Sequence, residues 1–558
     1  MHRLMILGLL LLSVPLLAGH DGYLPPLLDN IAAQSSEYKN SAEHQVLRDS
    51  QADREFAVGD TMTFWSWMLS VMPPQWIQVP STCRAVGEHC YIFVADNQWN
   101  IHMDQSDIDI ILPYLEDHTM NSYQYGAIEM DIQTFGPIPD ELDGDPRLIV
   151  FYSALGSFMG TMFDGYFSAY NQVTEEEAQN MNPPGHSNEC EMIYMTCHPL
   201  NPVDPIRISV LSHELEHLIH WGGDVDEILW VDEGCAELAM VLFGLPDPII
   251  EFPNQPDNSL ILWNQDFADY VKVMLFYTFL YEHYDNGSLI ADIVAEPLNS
   301  ISGVSQQLTE NDITQTFGEI FTDWTVANIV DNTEYESGRY GYDMLDMPYF
   351  SAIATHLVYP AAGNGTVSFW AGEYIRFYPD YWEGQLNFDL IAENPLDISI
   401  VYFSPGEVEY VQTFYDQTEF SQAITDFDEE DCSLVTFVIS NPDYATVNYT
   451  YYAETEGTAL ETNELADQGH LCLFPNPVNF RTSDLRLLLS SGSGDNQNNH
   501  LEIYNLKGQL VKYFDLSGQT ASSWNGKADN GTQIASGIYY CRAVTGNEIH
   551  YSRLIILK

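Results

Sequence analysis

The sequence predicts a multidomain protein in which an α+β domain is followed by two all-β domains of the sandwich, immunoglobulin-like kind. With 558 residues the chain is too long for one hydrophobic core. Apolar residues recur at helical spacing in the middle of the chain. After residue 350 they alternate in short segments between Gly, Pro, Asn and Asp turns. The charge balance changes at residue 470. Residues 470–558 contain eight Lys/Arg and six Asp/Glu, whereas the preceding 469 residues contain ten Lys/Arg and 75 Asp/Glu.

The amino terminus predicts an exported protein. Met1 to Gly19 has an early basic residue, Arg3, then an apolar run and small residues, which is the pattern of a signal peptide. We interpret residues 1–19 as that signal peptide. Residues 20–57 are polar and poorly periodic, and we interpret them as an N-terminal segment or a short propeptide. No later apolar run reaches the length of a membrane span, so we expect no transmembrane helix.

Residues 58–345 predict the α+β domain. Short β-branched and aromatic runs in its first part, such as Leu148–Tyr152 and Glu191–Met195, predict buried strands. Its later part has apolar residues at helical spacing, most clearly in Asp266–Tyr284 and Ile313–Val330. We therefore expect a mixed sheet followed by helices.

This domain contains an HExxH motif. His213 and His217 are four residues apart, so on a helix both imidazoles lie on one face, one turn apart. Two neutral imidazoles at that spacing can bind one Zn²⁺ at about 2.0–2.1 Å. Glu214 lies between them and is suited to be the general base that takes a proton from water. An apolar stripe predicts that the motif is helical: Val210, Leu211, Leu215, Leu218 and Ile219.

A catalytic zinc site needs a third protein ligand and an open position. A second amphipathic helix follows a polar turn after Gly223, and two antiparallel helices could bring Glu233 back over the histidines. Glu237 lies one turn further along on the same helix face. It could accept a hydrogen bond from a ligand imidazole.

The motif, followed by a helix that opens with Asp-Glu-Gly, resembles the gluzincin zinc metallopeptidases. The phrase HELEHLIHW…WVDEGCAEL most resembles the bacterial hyicolysin-like secreted metalloproteases. The resemblance implies that His213, His217 and Glu233 are the zinc ligands and that Glu214 is the general base. It also implies that Glu237 accepts a hydrogen bond from a ligand imidazole. The interval from His217 to Glu233 is a few residues shorter than the corresponding interval in thermolysin, and Glu237 would match that interval better. The Asp-Glu-Gly phrase instead favours Glu233.

Three further assignments concern the surroundings of the motif. His220 lies near the face of His217 and is either a fourth ligand or a residue that packs and hydrogen-bonds. Tyr270 lies in a segment that resembles the tyrosine-bearing helix of aminopeptidase-N type enzymes, which implies stabilisation of an oxyanion; an aromatic residue of a core helix is the alternative. By the gluzincin resemblance, Glu191–Met195 is the edge strand that pairs with substrate; the alternative is one more core strand.

Eight cysteines in an exported chain fit an oxidising compartment. Sequence proximity suggests two disulfides, and a third is possible within the last domain: Cys83 with Cys90, Cys190 with Cys197, and Cys472 with Cys541. Cys235 lies between the two candidate glutamates, and we interpret it as a small packing residue. Cys432 is left as a free thiol.

The net charge of −63 excludes nucleic acid and anionic lipid as expected partners. It is compatible with Ca²⁺, which takes carboxylate oxygens as ligands. The densest acidic run is Asp426–Asp431, for which a solvated loop is favoured over a Ca²⁺ site. The HExxH motif makes Zn²⁺ the expected cofactor, and the acidic composition leaves Ca²⁺ as a second possibility.

The end of the chain predicts a separate module. Residues 346–453 predict an all-β sandwich, and residues 454–469 are an acidic, Thr-rich linker. Residues 470–558 contain FPNP, IYNLKGQLV, WNG, ASGIYY and a final Lys. This order resembles the type IX secretion C-terminal sorting domain of the Bacteroidetes and allied bacteria. The resemblance implies contact with the type IX machinery and release from, or attachment to, the outer cell surface. By periodicity alone the segment is an immunoglobulin-like adhesion module.

We therefore expect a secreted or cell-surface zinc-dependent endopeptidase that acts on extracellular proteins or peptides. A surface adhesin with an inactive peptidase-like domain is one alternative, and the intact motif argues against it. An aminopeptidase is another; it would require a free substrate amino terminus and an acidic anchor for it. The sequence predicts neither side-chain specificity nor an oligomeric state.

Overall fold

The computed structural model describes residues 54–456 except 72–74, 141, 159–160, 380–383, 405–406 and 429–430. Towards the carboxyl terminus it describes 471–474, 478–480, 485–489, 499–505, 510–516, 521–529, 531–545 and 548–557. The segment interpreted as a signal peptide and most of the N-terminal segment lie outside these residues. Within them the chain is a multidomain, mixed α/β protein with several β-sheets, as predicted.

A mixed sheet forms the base of the first part of the chain. Its strands lie in the order β1-β2-β3-β4-β8-β7, and a short β5-β6 pair lies apart from it. The central strands β3, β4 and β8 run parallel and are buried along their whole length, which explains their continuous apolar runs. The bounds are β1 Thr61–Met68, β2 Gln75–Val86, β3 Cys90–Ala95, β4 Leu148–Ser153, β5 Ser157–Phe158, β6 Thr161–Met162, β7 Gly165–Phe167 and β8 Met192–Thr196.

Helices pack on this sheet and continue the chain. Pro113 lies inside the first of them, which nevertheless forms, with a capping box at Asp104. The predicted helix Ile313–Val330 begins at Phe317, after a capping box at Thr316. The bounds are α1 Gln105–Glu116, α2 Ala127–Phe135, α3 Glu175–Asn180, α4 Pro205–Gly223, α5 Leu229–Phe243, α6 Phe267–Tyr284, α7 Leu289–Val294, α8 Ile301–Glu310 and α9 Phe317–Val330.

The segment that was expected to be the edge strand lies inside the sheet. Strand β8 pairs in parallel with β4 on one side and antiparallel with β7 on the other. The interpretation of Glu191–Met195 as the exposed edge is therefore wrong. The edge next to helix α4 is β7, a strand of three residues that is too short to show a pattern in the sequence.

The two local disulfides predicted from spacing are absent, because Cys83, Cys90, Cys190 and Cys197 are all free thiols. Cys83 pairs with Phe93 in the ladder, three residues along β3 from Cys90, or about 10 Å at the rise of a strand. Cys190 and Cys197 lie at opposite ends of extended β8, roughly 20 Å apart by the same rise. Both separations exceed the span of a disulfide.

The remaining cysteines are described in part. Cys432 is a free, buried thiol, as expected. Cys235 is also a free, buried thiol, in helix α5. The predicted pairing of Cys472 with Cys541 is absent as well, because Cys541 is a free thiol buried in a hydrophobic core of the last part of the chain. The side chain of Cys472 lies outside the described residues.

The second part of the chain is a sheet that folds over itself. Its order is β10-β15-β12-β14-β11-β9, with β13 paired to β12. The first half of β12 pairs with β15 and its second half with β14, and the register shifts between Ile391 and Leu396. A strand that bends in this way lets two layers face each other, and the rings of Phe388 and Phe437 stack at 3.8 Å between them. The bounds are β9 Ala354–His356, β10 Ala361–Val367, β11 Ala371–Phe377, β12 Gln385–Ser404, β13 Glu407–Ile424, β14 Leu434–Asn441 and β15 Val447–Glu456.

Helix α9 joins this sheet to the first part. Thr322 donates a hydrogen bond to Asp397 at 2.8 Å, and the hydroxyls of Thr325 and Ser440 lie 2.7 Å apart. Trp370 belongs to the hydrophobic core of the first part. The sheet domain is therefore packed onto the helices through shared apolar and polar contacts.

The described C-terminal strands enclose a separate hydrophobic core. They form sheets in the orders β16-β18-β21 and β17-β23-β22-β19-β20. Across the described part of the chain, no helix has both the length and the apolar character needed to span a bilayer. The bounds are β16 Leu471–Phe474, β17 Val478–Asn479, β18 Leu485–Leu489, β19 His500–Asn505, β20 Leu510–Asp515, β21 Ala521–Trp524, β22 Gly537–Thr545 and β23 Glu548–Leu557.

Candidate metal centre

Helices α4 and α5 hold the predicted site residues inside the first domain. Helix α4 starts with Pro205, whose fixed φ suits the first helical position, and both His213 and Glu214 are buried within it. Helix α5 follows after a short turn and ends at Phe243. The next residue, Gly244, has a left-handed φ of 98°, which glycine adopts more readily than residues with a Cβ. Glu233 lies near the start of α5 and is buried as well.

Three donor atoms meet between the two helices. His213 Nε2 and His217 Nε2 lie 3.2 Å apart. Glu233 Oε2 lies 3.6 Å from the first of these atoms and 3.8 Å from the second. Donor atoms around a tetrahedral Zn²⁺ with bonds of 2.0–2.1 Å are separated by roughly 3.3–3.4 Å. A single point about 2.1 Å from all three atoms therefore exists, at the bond length of a zinc ligand.

Each histidine is held from behind by a carboxylate. Glu237 Oε1 lies 3.5 Å from His213 Nδ1, the position expected of a group behind a ligand. Asp232 Oδ1 lies 3.0 Å from His217 Nδ1. The sequence analysis did not assign a role to Asp232, although its place beside Glu233 in the first turn of α5 could have suggested one. These contacts direct Nδ1 of each ring to a carboxylate and leave Nε2 facing the common point.

The local charge favours a cation at this point. Burial alone disfavours the charged imidazolium of His217. The carboxylates of Asp232, Glu233 and Glu214 outweigh burial and raise the pKa of His217 well above its usual value. The acidic surroundings that attract a proton here would equally attract a metal ion.

Glu214 is oriented by the edge strand. The backbone N–H of Phe167 in β7 donates a hydrogen bond to Glu214 Oε2 at 2.8 Å. This hydrogen bond fixes the direction of the Glu214 carboxylate. The close approach of β7 to β8 requires Gly165, because a Cβ there would lie 2.8 Å from the backbone oxygen of Tyr194 and 2.7 Å from Met195 Sδ. The strand next to the base was not predicted from sequence.

An ion pair fastens the same strand to helix α4. Arg207, in the first turn of α4, pairs with Asp164, which directly precedes β7 and is buried. Arginine is scarce in this acidic chain, which has 18 Lys/Arg in all. Strand β7 is thus tied to α4 at both ends, by Asp164 and by Phe167.

Two other residues that the sequence analysis considered, His220 and Tyr270, are not among the three donor atoms' residues. His220 Nδ1 lies 3.0 Å from Glu216 Oε1 and 3.5 Å from Asp232 Oδ1, so a carboxylate pair holds it. Tyr270 is buried in α6, with its ring 4.9 Å from that of Trp263 in an edge-on contact. Its role in holding an oxyanion stays a prediction.

The acidic run 426–431 lies between β13 and β14. The backbone N–H of Asp431 donates a hydrogen bond to Asp428 Oδ1 at 3.0 Å, which closes a turn. Residues 429 and 430 lie outside the described part of the chain. Calcium binding in this run stays a prediction.

The C-terminal module matches a known family. Residues 472–558 match the family described as "Secretion system C-terminal sorting domain". The prediction of a type IX sorting domain is confirmed. The chain is exported by type IX secretion, to the cell surface or into the medium, and its C-terminal domain is the part that engages that machinery.

The other comparisons assign no activity. No curated protein sequence matches the chain. Among solved structures, it is similar to PorZ, a surface component of the type IX secretion system of Porphyromonas gingivalis, with 17% identity and a TM-score of 0.14 over 22% of this chain and 15% of PorZ. The glycoside hydrolase domain of Endo-D from Streptococcus pneumoniae R6 has 8% identity and a TM-score of 0.14, over 35% of this chain and 33% of the Endo-D chain. A β-glucuronidase of Faecalibacterium prausnitzii has 8% identity and a TM-score of 0.12, over 35% of this chain and 36% of the β-glucuronidase.

These likenesses are too low to carry a functional argument. In all three cases the chain spans far less than two thirds of the length of the protein that it resembles.

Proposed function

We propose that the chain is an exported zinc metallopeptidase of the gluzincin type that cleaves internal peptide bonds of extracellular proteins. The observation that carries the proposal is the meeting of His213 Nε2, His217 Nε2 and Glu233 Oε2 around one point at zinc-ligand distance. Glu214, next to His213 on helix α4, supplies a carboxylate for proton transfer. Two imidazoles and one carboxylate form a donor set that suits catalytic zinc and leaves a coordination position for substrate or water.

Proton transfer would depend on Glu214. When bound, zinc supplies Lewis acidity that lowers the pKa of water and polarises a peptide carbonyl. Glu214 accepts the proton of the attacking water and later delivers it to the leaving amine. The N–H of Phe167 holds Oε2 of that carboxylate in place, so the base is oriented before substrate arrives.

Strand β7 offers a place for the substrate backbone. One side of β7 pairs with β8, and the N–H of Phe167 on its other side points towards the base. An extended peptide could add to such an edge as a further strand, through main-chain groups other than the N–H of Phe167 that Glu214 already binds. Main-chain pairing does not need a free substrate terminus, which favours an endopeptidase.

Casein hydrolysis by the purified chain tests the proposal. We expect hydrolysis that stops after zinc is removed with 1,10-phenanthroline and returns when Zn²⁺ is added, because Glu214 alone cannot activate water sufficiently. Addition of Mg²⁺, which prefers oxygen ligands and octahedral geometry, serves as the control and should not restore activity.

Two outcomes would favour the alternative functions. A chain that binds no zinc and cleaves nothing would be a surface-binding protein with an inactive domain. Cleavage of a peptide with a free amino terminus, but not of its acetylated form, would indicate an aminopeptidase.

A further inference from the structure

A second cluster of ionisable side chains lies on helix α4 beside the metal centre. Glu216 and His220 are four residues apart, so they share a helix face next to that of the ligands. Their relative exposures are 0% and 1%, respectively. The proposed reaction does not use either residue, and burial of two ionisable groups needs a reason.

Asp232 connects this cluster to a ligand. Its Oδ1 atom lies 3.0 Å from His217 Nδ1 and 3.5 Å from His220 Nδ1. His220 Nδ1 also lies 3.0 Å from Glu216 Oε1. The contacts therefore run from Glu216 through His220 and Asp232 to His217, and Glu216 Oε2 also lies 3.9 Å from His217 Nδ1.

The cluster needs positive charge, and His220 is placed to supply it. Buried carboxylates are costly unless a cation or hydrogen-bond donors compensate for lost water. Within the described ranges, no lysine or arginine forms an ion pair with Glu216 or Asp232. Burial disfavours the imidazolium of His220, but both carboxylates outweigh burial and raise the pKa of His220 to about 9.

We infer that His220 is a positioning residue for the metal ligand His217 and acts through Asp232. This inference rests on the proposed function. His220, held between the carboxylates of Glu216 and Asp232, fixes the position of the Asp232 carboxylate. Asp232 then accepts the proton of His217 Nδ1, so that the lone pair of Nε2 points at the metal.

Zinc affinity tests the inference without a measurement of activity. The metal-free chain would compete with a chromophoric chelator for Zn²⁺, as wild type and as His220→Gln. We expect zinc binding to weaken about tenfold in the variant, at the lower end of the 10–100-fold loss seen when groups behind metal ligands are removed. His89→Gln is the control and should leave zinc binding unchanged. His89 also pairs with a glutamate, Glu116 of helix α1, at 2.8 Å, but neither residue of that pair belongs to helix α4.

A double-mutant comparison separates positioning from general support of the fold. If His220 acts through Asp232, zinc binding by Asp232→Asn/His220→Gln should be no weaker than by Asp232→Asn alone. Should His220→Gln fail to fold, Glu216→Gln/His220→Gln removes both opposite charges at similar volume and should show the same weakening.

Three results would overturn the inference. Equal zinc affinity of wild type and His220→Gln would do so, as would fully additive losses in the double variant. A second zinc per wild-type chain that disappears in His220→Gln would make His220 a ligand, with Glu216 and Cys235 as the nearby donors. In each case wild type still binds zinc at the first centre. A wild-type chain without any zinc would instead refute the proposed function, and the inference with it.

Discussion

The substitution Glu214→Gln is expected to abolish peptide hydrolysis while zinc stays bound. The amide keeps the size of the side chain but cannot accept a proton, and loss of a general base costs about 10²–10⁴-fold in rate. Glu214 contributes none of the three donor atoms, so the metal content should match that of wild type. Casein hydrolysis and bound zinc, measured on the same preparations, check both parts of this expectation.

A matched variant controls for a general effect of removing a glutamate. Glu176 is exposed in α3, and Glu176→Gln should leave hydrolysis unchanged. Hydrolysis by Glu214→Gln within tenfold of wild type would show that another group handles the proton. Loss of zinc in Glu214→Gln would mean that the helix around the motif has been disturbed.

The second large effect is expected at Glu233. Glu233→Gln should weaken zinc binding more than about 100-fold, because a neutral amide replaces an anionic ligand in a buried site. Glu237→Gln should weaken it only about tenfold, because Glu237 lies behind His213 at 3.5 Å. Competition with a chelator measures both constants.

The order of these two losses decides the assignment. The two glutamates are one turn apart on α5 and both are buried, so each variant is the control for the other. A larger loss for Glu237→Gln would mean that the chain binds zinc in an arrangement different from the one described here.

The sequence predicts the parts of this centre that depend on local geometry. The relation of His213 to His217 follows from the helix period alone. The choice between Glu233 and Glu237 depends on how α5 crosses α4, which spacing along the chain cannot determine. Asp232 was missed for the same reason, since its partner His217 lies on another helix.

Long-range pairing explains the other differences. Strand β7 has three residues, and its place at the edge is set by pairing with β8. The disulfide predictions failed because closeness in sequence differs from closeness across a ladder: Cys83 faces Phe93 and not Cys90. The sorting domain was predictable because its motifs occur in a fixed order within one short segment.

Location of the zinc ion by anomalous X-ray scattering at the zinc edge, in crystals of the purified chain, is the most direct test of the central claim. We expect one strong peak about 2.1 Å from His213 Nε2, His217 Nε2 and Glu233 Oε2. A peak at Cys235 instead, or no peak under zinc-replete conditions, would contradict the claim that these three residues hold a catalytic zinc.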